Sequence, residues 1–147
     1  MTRNLVLFKL LFFSILCFLQ SESSAIMTGM STEHLTMESD HVVQGEIKDV
    51  KARWSSDGKS IISRALLIKQ KMIKGMTIKR NLIVEYEGGE IGDVGLRVSD
   101  VAPLKAGEWV ILFLRVGRSL KEGEVFNIVG KGQGKYVIGD DGIARKK

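Results

Sequence analysis

Residues 130–136 read GKGQGKY, which sets Lys131, Gln133 and Lys135 between three glycines at every second position. Two ammonium groups and an amide on one short stretch are the side chains that hold phosphate, sulfate or carboxylate groups. The spacing does not make a nucleotide loop. A P-loop needs G-x-x-x-x-G-K-[ST], but Val129 stands where its first glycine belongs and Tyr136 follows the lysine. The GKS at residues 58–60 fails in the same way, with Arg53 in the first glycine's place. A dinucleotide fingerprint opens a helix, and no helix pattern follows Gly134. Two readings remain. Lys131, Gln133 and Lys135 form a ligand-binding strip suited to an acidic glycan or other polyanion, or they are the solvent face of a strand.

Other chemistry-bearing residues are sparse. His34 and His41 are the only histidines and Cys17 the only cysteine, so no zinc set can be assembled from them. Asp40 and His41 are adjacent and leave a hydrolase open, although no G-x-S-x-G nucleophile motif is present. Glu85, Glu87, Glu90 and Asp93 surround the glycines of EYEGGEIGDVG and raise a calcium reading. The repeat that binds calcium is G-G-x-G-x-D, however, and EF-hand spacing is missing too. These patterns imply neither a metal nor a cofactor.

The elements that would carry these residues read as strands. Ser31 or Thr32 can cap a short helix over EHLTMESD, with Leu35 turned inward. In HVVQGEIKDVKARW the apolar phase runs Val43, Gly45, Ile47 and then slips to Val50, Ala52, Trp54, which predicts a bulge near Lys48 and Asp49. Asp57-Gly58 marks a hairpin tip. SIISRALLIKQKMI and RNLIVEY follow as strands, then a long glycine-bearing loop with the only proline, Pro103. EWVILFLRV is apolar on both faces and reads as a central strand. VFNIVGKGQGKYVI reads as one returning strand. Its parity puts Gly130, Gly132 and Gly134 on the buried face, with Trp54 or Trp109 across the vacancy, and the lysines on the other face. A last hairpin at residues 139–142 leads into IAR. Five or six strands and one helix predict an all-β chain, a small closed or partly open OB-like barrel, with a β-sandwich as the alternative.

The N-terminus addresses the compartment. Residues 5–19 are apolar apart from Lys9 and Ser14, and Ser23-x-Ala25 follows as a signal-peptidase site. The run is shorter than the roughly 20 residues that cross a hydrocarbon core, although an uncut signal would leave a membrane anchor. We therefore expect residues 1–25 to be a signal peptide and 26–147 a single exported domain, periplasmic or extracellular. Cleavage would remove Cys17, leaving a secreted domain that must hold itself together by its core alone. The full chain carries a formal net charge of +5, dispersed except for Arg145-Lys146-Lys147. Dispersed cations argue against a nucleic-acid footprint.

The segments ESDHVVQGEI, KMIKG, YEGGEIGDVGLRVSD, LKAGEWVILFL and VGKGQGKYVI, in that order, resemble a family of small exported bacterial β-rich proteins of uncharacterised function. The helix-then-strand opening and the K-G end of the second strand are similar to the OB-fold of netrin and metalloprotease-inhibitor-like domains. Those inhibitors chelate the protease metal with an N-terminal cysteine, and no cysteine stands near Ile26, so that activity is not implied. The resemblance implies an exported barrel and no catalytic residue. The function expected is a non-catalytic binding or accessory module, with a protein or acidic glycan of the cell envelope as partner. A hydrolase using Asp40 and His41 is the competing class.

Overall fold

A computed structural model of the chain describes residues 29–76, 81–120 and 123–146. The expected signal peptide and its cleavage site lie outside the described residues. Among the described residues, no helix is long and apolar enough to cross a membrane.

The described residues open with α1 (Thr32–Glu38), followed by β1 (His41–Trp54), β2 (Ile61–Lys74) and β3 (Leu82–Glu87). A small hairpin comes next, β4 (Gly89–Ile91) and β5 (Val94–Leu96), and an irregular loop at residues 97–108. The remainder is β6 (Trp109–Leu120), β7 (Gly123–Ile128), a 3-10 turn (Lys131–Gly134), β8 (Lys135–Ile138) and β9 (Ala144–Lys146). Ser31 caps α1, its hydroxyl accepting the His34 N–H at 3.2 Å, and Leu35 is fully buried. The lysine of the expected K-G strand end has a specific task. Lys74 Nζ donates to Thr36 O and Ser39 O, both at 2.6 Å, a cation at the helix C-terminus where free carbonyls favour one.

Pairing runs β1–β2–β3 antiparallel, β3–β7 parallel, β7–β6 antiparallel and β6–β1 antiparallel. Five strands therefore return to their starting point as a partly open barrel, and the described residues are all-β apart from one short helix and the 3-10 turn. β1 supplies the curvature. Its register against β2 shifts between Ile47 and Asp49, at the bulge the sequence predicts, and burial drops sharply beyond it. The hairpin tip also stands as expected, with Gly58 at a φ of 69° donating to Ser55 O.

The double-sided apolarity of β6 has two destinations. Val110, Leu112 and Leu114 face the barrel interior with Val43, Ile47, Leu67 and Val84. Ile111 and Phe113 face outward into a second cluster, where Leu35, Val42 and Val129 cover them. The helix is thus the lid of an outer core.

The expectation for residues 125–138 needs correction. The segment follows a single track along β6, as one strand would: Ile128 pairs with Leu114, and Lys135 with Leu112. Between them, residues 130–134 leave the ladder as a 3-10 turn, with Gly130 in the left-handed region at a φ of 63°. An excursion of an odd number of residues inverts the side-chain phase. Tyr136 consequently joins the outer cluster, and Lys135, expected on the solvent face, is driven inward. Neither tryptophan lies across the glycines. Trp54 and Trp109 remain 47% and 38% exposed, and Lys69 Nζ sits 5.9 Å above the Trp109 ring.

Candidate ligand-binding cleft

The three residues of the expected strip do not share a surface. Lys131 is exposed and ion-paired with Asp100. Gln133 is buried, and its side-chain oxygen accepts the Met30 N–H at 2.6 Å. Lys135 is 3% exposed; its Nζ donates to Pro103 O at 2.6 Å and to Glu108 at 2.7 Å. All three hold other segments in place. The hydrogen bond from Lys131 keeps the Asp100 carboxyl below the usual range and, reciprocally, raises the lysine.

What Lys131 and Lys135 hold is the irregular loop. Asp100 is tied a second time, its carbonyl accepting the Gly132 N–H at 2.9 Å. Leu104 plugs the barrel core, and the Tyr86 hydroxyl brackets it by accepting from its N–H and donating to its carbonyl, each at 3.3 Å. Burial, chiefly, raises the Tyr86 phenol above its ordinary value; the Glu108 charge adds to this while hydrogen bonding opposes it. A loop without ladder bonds would ordinarily be mobile. This one is fixed at Asp100, Pro103, Leu104 and Glu108.

Against that fixed loop the β4–β5 hairpin forms a cleft of about 580 Å³. Gly88, Gly89 and Gly95 contribute bare backbone to its lining, and Leu96, Val98, Val101 and Pro103 contribute apolar surface. Glu87, Glu90 and Arg97 supply the charges. Gly89 must be glycine. Its φ is 135°, and a Cβ there would stand 2.3 Å from Ser63 Oγ at the end of the barrel. Gly88 is fixed equally, donating to Ile61 O at 2.8 Å and accepting the Ser63 hydroxyl at 2.7 Å. The EGGEIG stretch is thus both the barrel's end and one side of the cleft.

Asp40 and His41 lie elsewhere. The Asp40 carboxylate accepts the Val116 N–H at 2.8 Å and so extends the β6 edge. His41 packs edge-on to Phe126 at 5.5 Å between centroids, and its Nδ1 is buried without a hydrogen-bond partner among the described residues. The four acids of the calcium reading do not converge on one point either, although Glu87 and Glu90 both line the cleft. Glu85 is on the outer barrel face, bonded to Arg64 at 2.9 Å and Arg118 at 2.7 Å. Among the described residues, no group of three or more His, Cys, Asp or Glu side chains is arranged to hold a metal.

Sequence reasoning missed Tyr86, Pro103, Glu108 and Arg97. A signal existed for Glu108, a carboxylate immediately before the most apolar strand. Comparison with known protein families, curated proteins and solved structures finds no match to this chain.

Proposed function

We propose that the chain is an exported, non-catalytic binding or accessory module of the bacterial cell envelope, and that it meets its partner through the cleft between the β4–β5 hairpin and the loop at residues 97–108. The observation that carries this reading is the loop itself. An irregular segment held by a largely buried ion pair and a half-buried tyrosine presents a pre-shaped surface, and a pre-shaped surface loses little entropy on binding. The volume of about 580 Å³ is that of a small-ligand or peptide site. A polyanion finds less here, because Lys131 and Lys135 already have carboxylate partners. A hydrolase would need Asp40 and His41 in a cavity with a nucleophile, whereas Asp40 is engaged by backbone and neither residue lines the cleft.

The test is photocrosslinking in intact producing cells, with a photoreactive phenylalanine analogue at Val98 in the cleft or at exposed Ile143 as a control. Adducts at position 98 and none at 143 support the reading. Equal labelling at both positions, or none at either, overturns it. The same preparation reports export, because the N-terminus of the mature protein should be Ile26.

A further inference from the structure

We propose that the cleft takes a zwitterionic ligand of the amino-acid type, a single residue or short peptide with free ammonium and carboxylate groups and an apolar side chain. This rests on the cleft being the binding surface and adds the ligand's chemistry. The hairpin register pairs Gly89 with Leu96 and Glu90 with Gly95. The Glu90 side chain lies over Gly95, where an added Cβ would stand 3.4 Å from its Cγ. Arg97, two residues beyond Gly95, is the diagonal neighbour of Glu90 across the hairpin. Such neighbours are separated by roughly 7–8 Å, within reach of long side chains.

These two charges take no part in the ion pairs that brace the fold. Arg64, Arg115, Arg118, Lys131, Lys135 and Arg145 each meet a carboxylate. Glu90 and Arg97 have neither an ion pair nor a hydrogen bond among the described residues. Glu87, the third charge of the cleft, already feels Lys131. One free carboxylate and one free guanidinium therefore face a cleft with bare glycine backbone between them. That is the complement of an ammonium and a carboxylate on one small molecule, each end making a charge-assisted hydrogen bond. Leu96, Val98, Val101 and Pro103 offer the apolar contact that a leucine-like side chain fills. A purely cationic ligand would leave Arg97 unanswered, and a purely anionic one would leave Glu90 so.

The test is an NMR titration of the ¹⁵N-labelled protein, recovered from an exporting host, with leucyl-leucine. The reporters are the amides of Gly88, Gly89 and Gly95. Saturable shifts at these three are expected in the millimolar range. Acetylating the dipeptide's amine or amidating its carboxylate should each weaken binding about tenfold or more. Glu90→Gln should match the loss from acetylation and add little to it, and Arg97→Gln should stand in the same relation to amidation. Both residues are surface side chains, and unchanged spectra away from the cleft will show the fold intact. Equal affinity for free and capped dipeptides, or no saturable shift at these glycines, overturns the proposal. Either result leaves the crosslink at Val98 to decide the broader reading separately.

Discussion

Lys135 is the residue on which the cleft wall depends most. Its ammonium group is nearly sealed from water, and the Glu108 carboxylate opposite is only 16% exposed. Removing one partner of such a pair leaves a buried charge without compensation, which costs more than the pair contributes. Lys135→Met should therefore destabilise the fold by about 3 kcal/mol in urea unfolding. Lys131→Met should shift the midpoint far less, because that ion pair lies at the surface. Equal losses from the two would contradict the assignment of Lys135 to the interior. Glu85 offers a test by pH. Burial raises its carboxyl, but hydrogen bonds and charge from Arg64 and Arg118 outweigh burial and bring it below the usual 4.5. A depressed carboxylate stabilises the fold above its unfolded value, and that contribution is lost as the pH falls through the folded value. The stability gap between the wild type and Glu85→Gln should be constant near neutrality and close progressively below pH 4.5. A gap that persists unchanged into acid would show that the carboxylate's charge is not what stabilises.

The 3-10 turn at Lys131–Gly134 decides the phase of everything after it, and its glycines can be ranked by space. A Cβ at Gly134 would stand 2.2 Å from the backbone oxygen of Val129, a contact that only a backbone shift can relieve. At Gly132 the nearest atoms are Asp100 O at 3.1 Å and Ala102 N at 3.2 Å, milder contacts that a far smaller displacement relieves. Gly134→Ala should cost at least about 2 kcal/mol by thermal or urea unfolding, and Gly132→Ala less. The reverse order would favour the continuous strand that the sequence suggests. Why that strand was the natural reading is clear from the residues. Alternation from Phe126 through Tyr136 is unbroken in the sequence, and an odd excursion keeps the pattern on paper while inverting it in space. Elements whose signals are local were legible: the Ser31 cap, the bulge at Lys48, the Asp57-Gly58 tip and the double-sided β6. The cleft was not, because its wall is set by Tyr86 to Leu104 and Lys135 to Pro103 and Glu108, contacts between residues 18 to 32 apart. Of the site, only the glycines of EYEGGEIGDVG announced themselves, and they did so as a calcium loop.

Across the whole barrel the strength of pairing is uneven, and the unevenness says where the ring opens. β1 and β2 pair along nearly their full lengths, from Val42 with Lys74 to Trp54 with Ile61. β6 is occupied on both edges, by β1 on one and by β8 then β7 on the other. The closing seam is the parallel pair β3–β7, held by Ile83 with Val125, Val84 with Phe126 and Glu85 with Asn127. Parallel pairing is slightly less stable per residue, and a short seam has few bonds to break together. β6 also lies between two apolar clusters, so exposing it means dismantling both. Native-state hydrogen exchange should consequently report two levels. Amides of Val110, Leu112 and Leu114 should exchange only by global unfolding, with the full denaturant dependence of the stability. Amides bonded across the β3–β7 seam should exchange through a smaller opening, with weaker dependence on denaturant. Glu85 lies in the seam and binds Arg118 of β6, so Glu85→Gln should lower the seam's opening free energy more than it lowers protection in β6. If seam and β6 amides share one denaturant dependence, the barrel opens as a unit, and the parallel closure is no weaker than the rest of the ring.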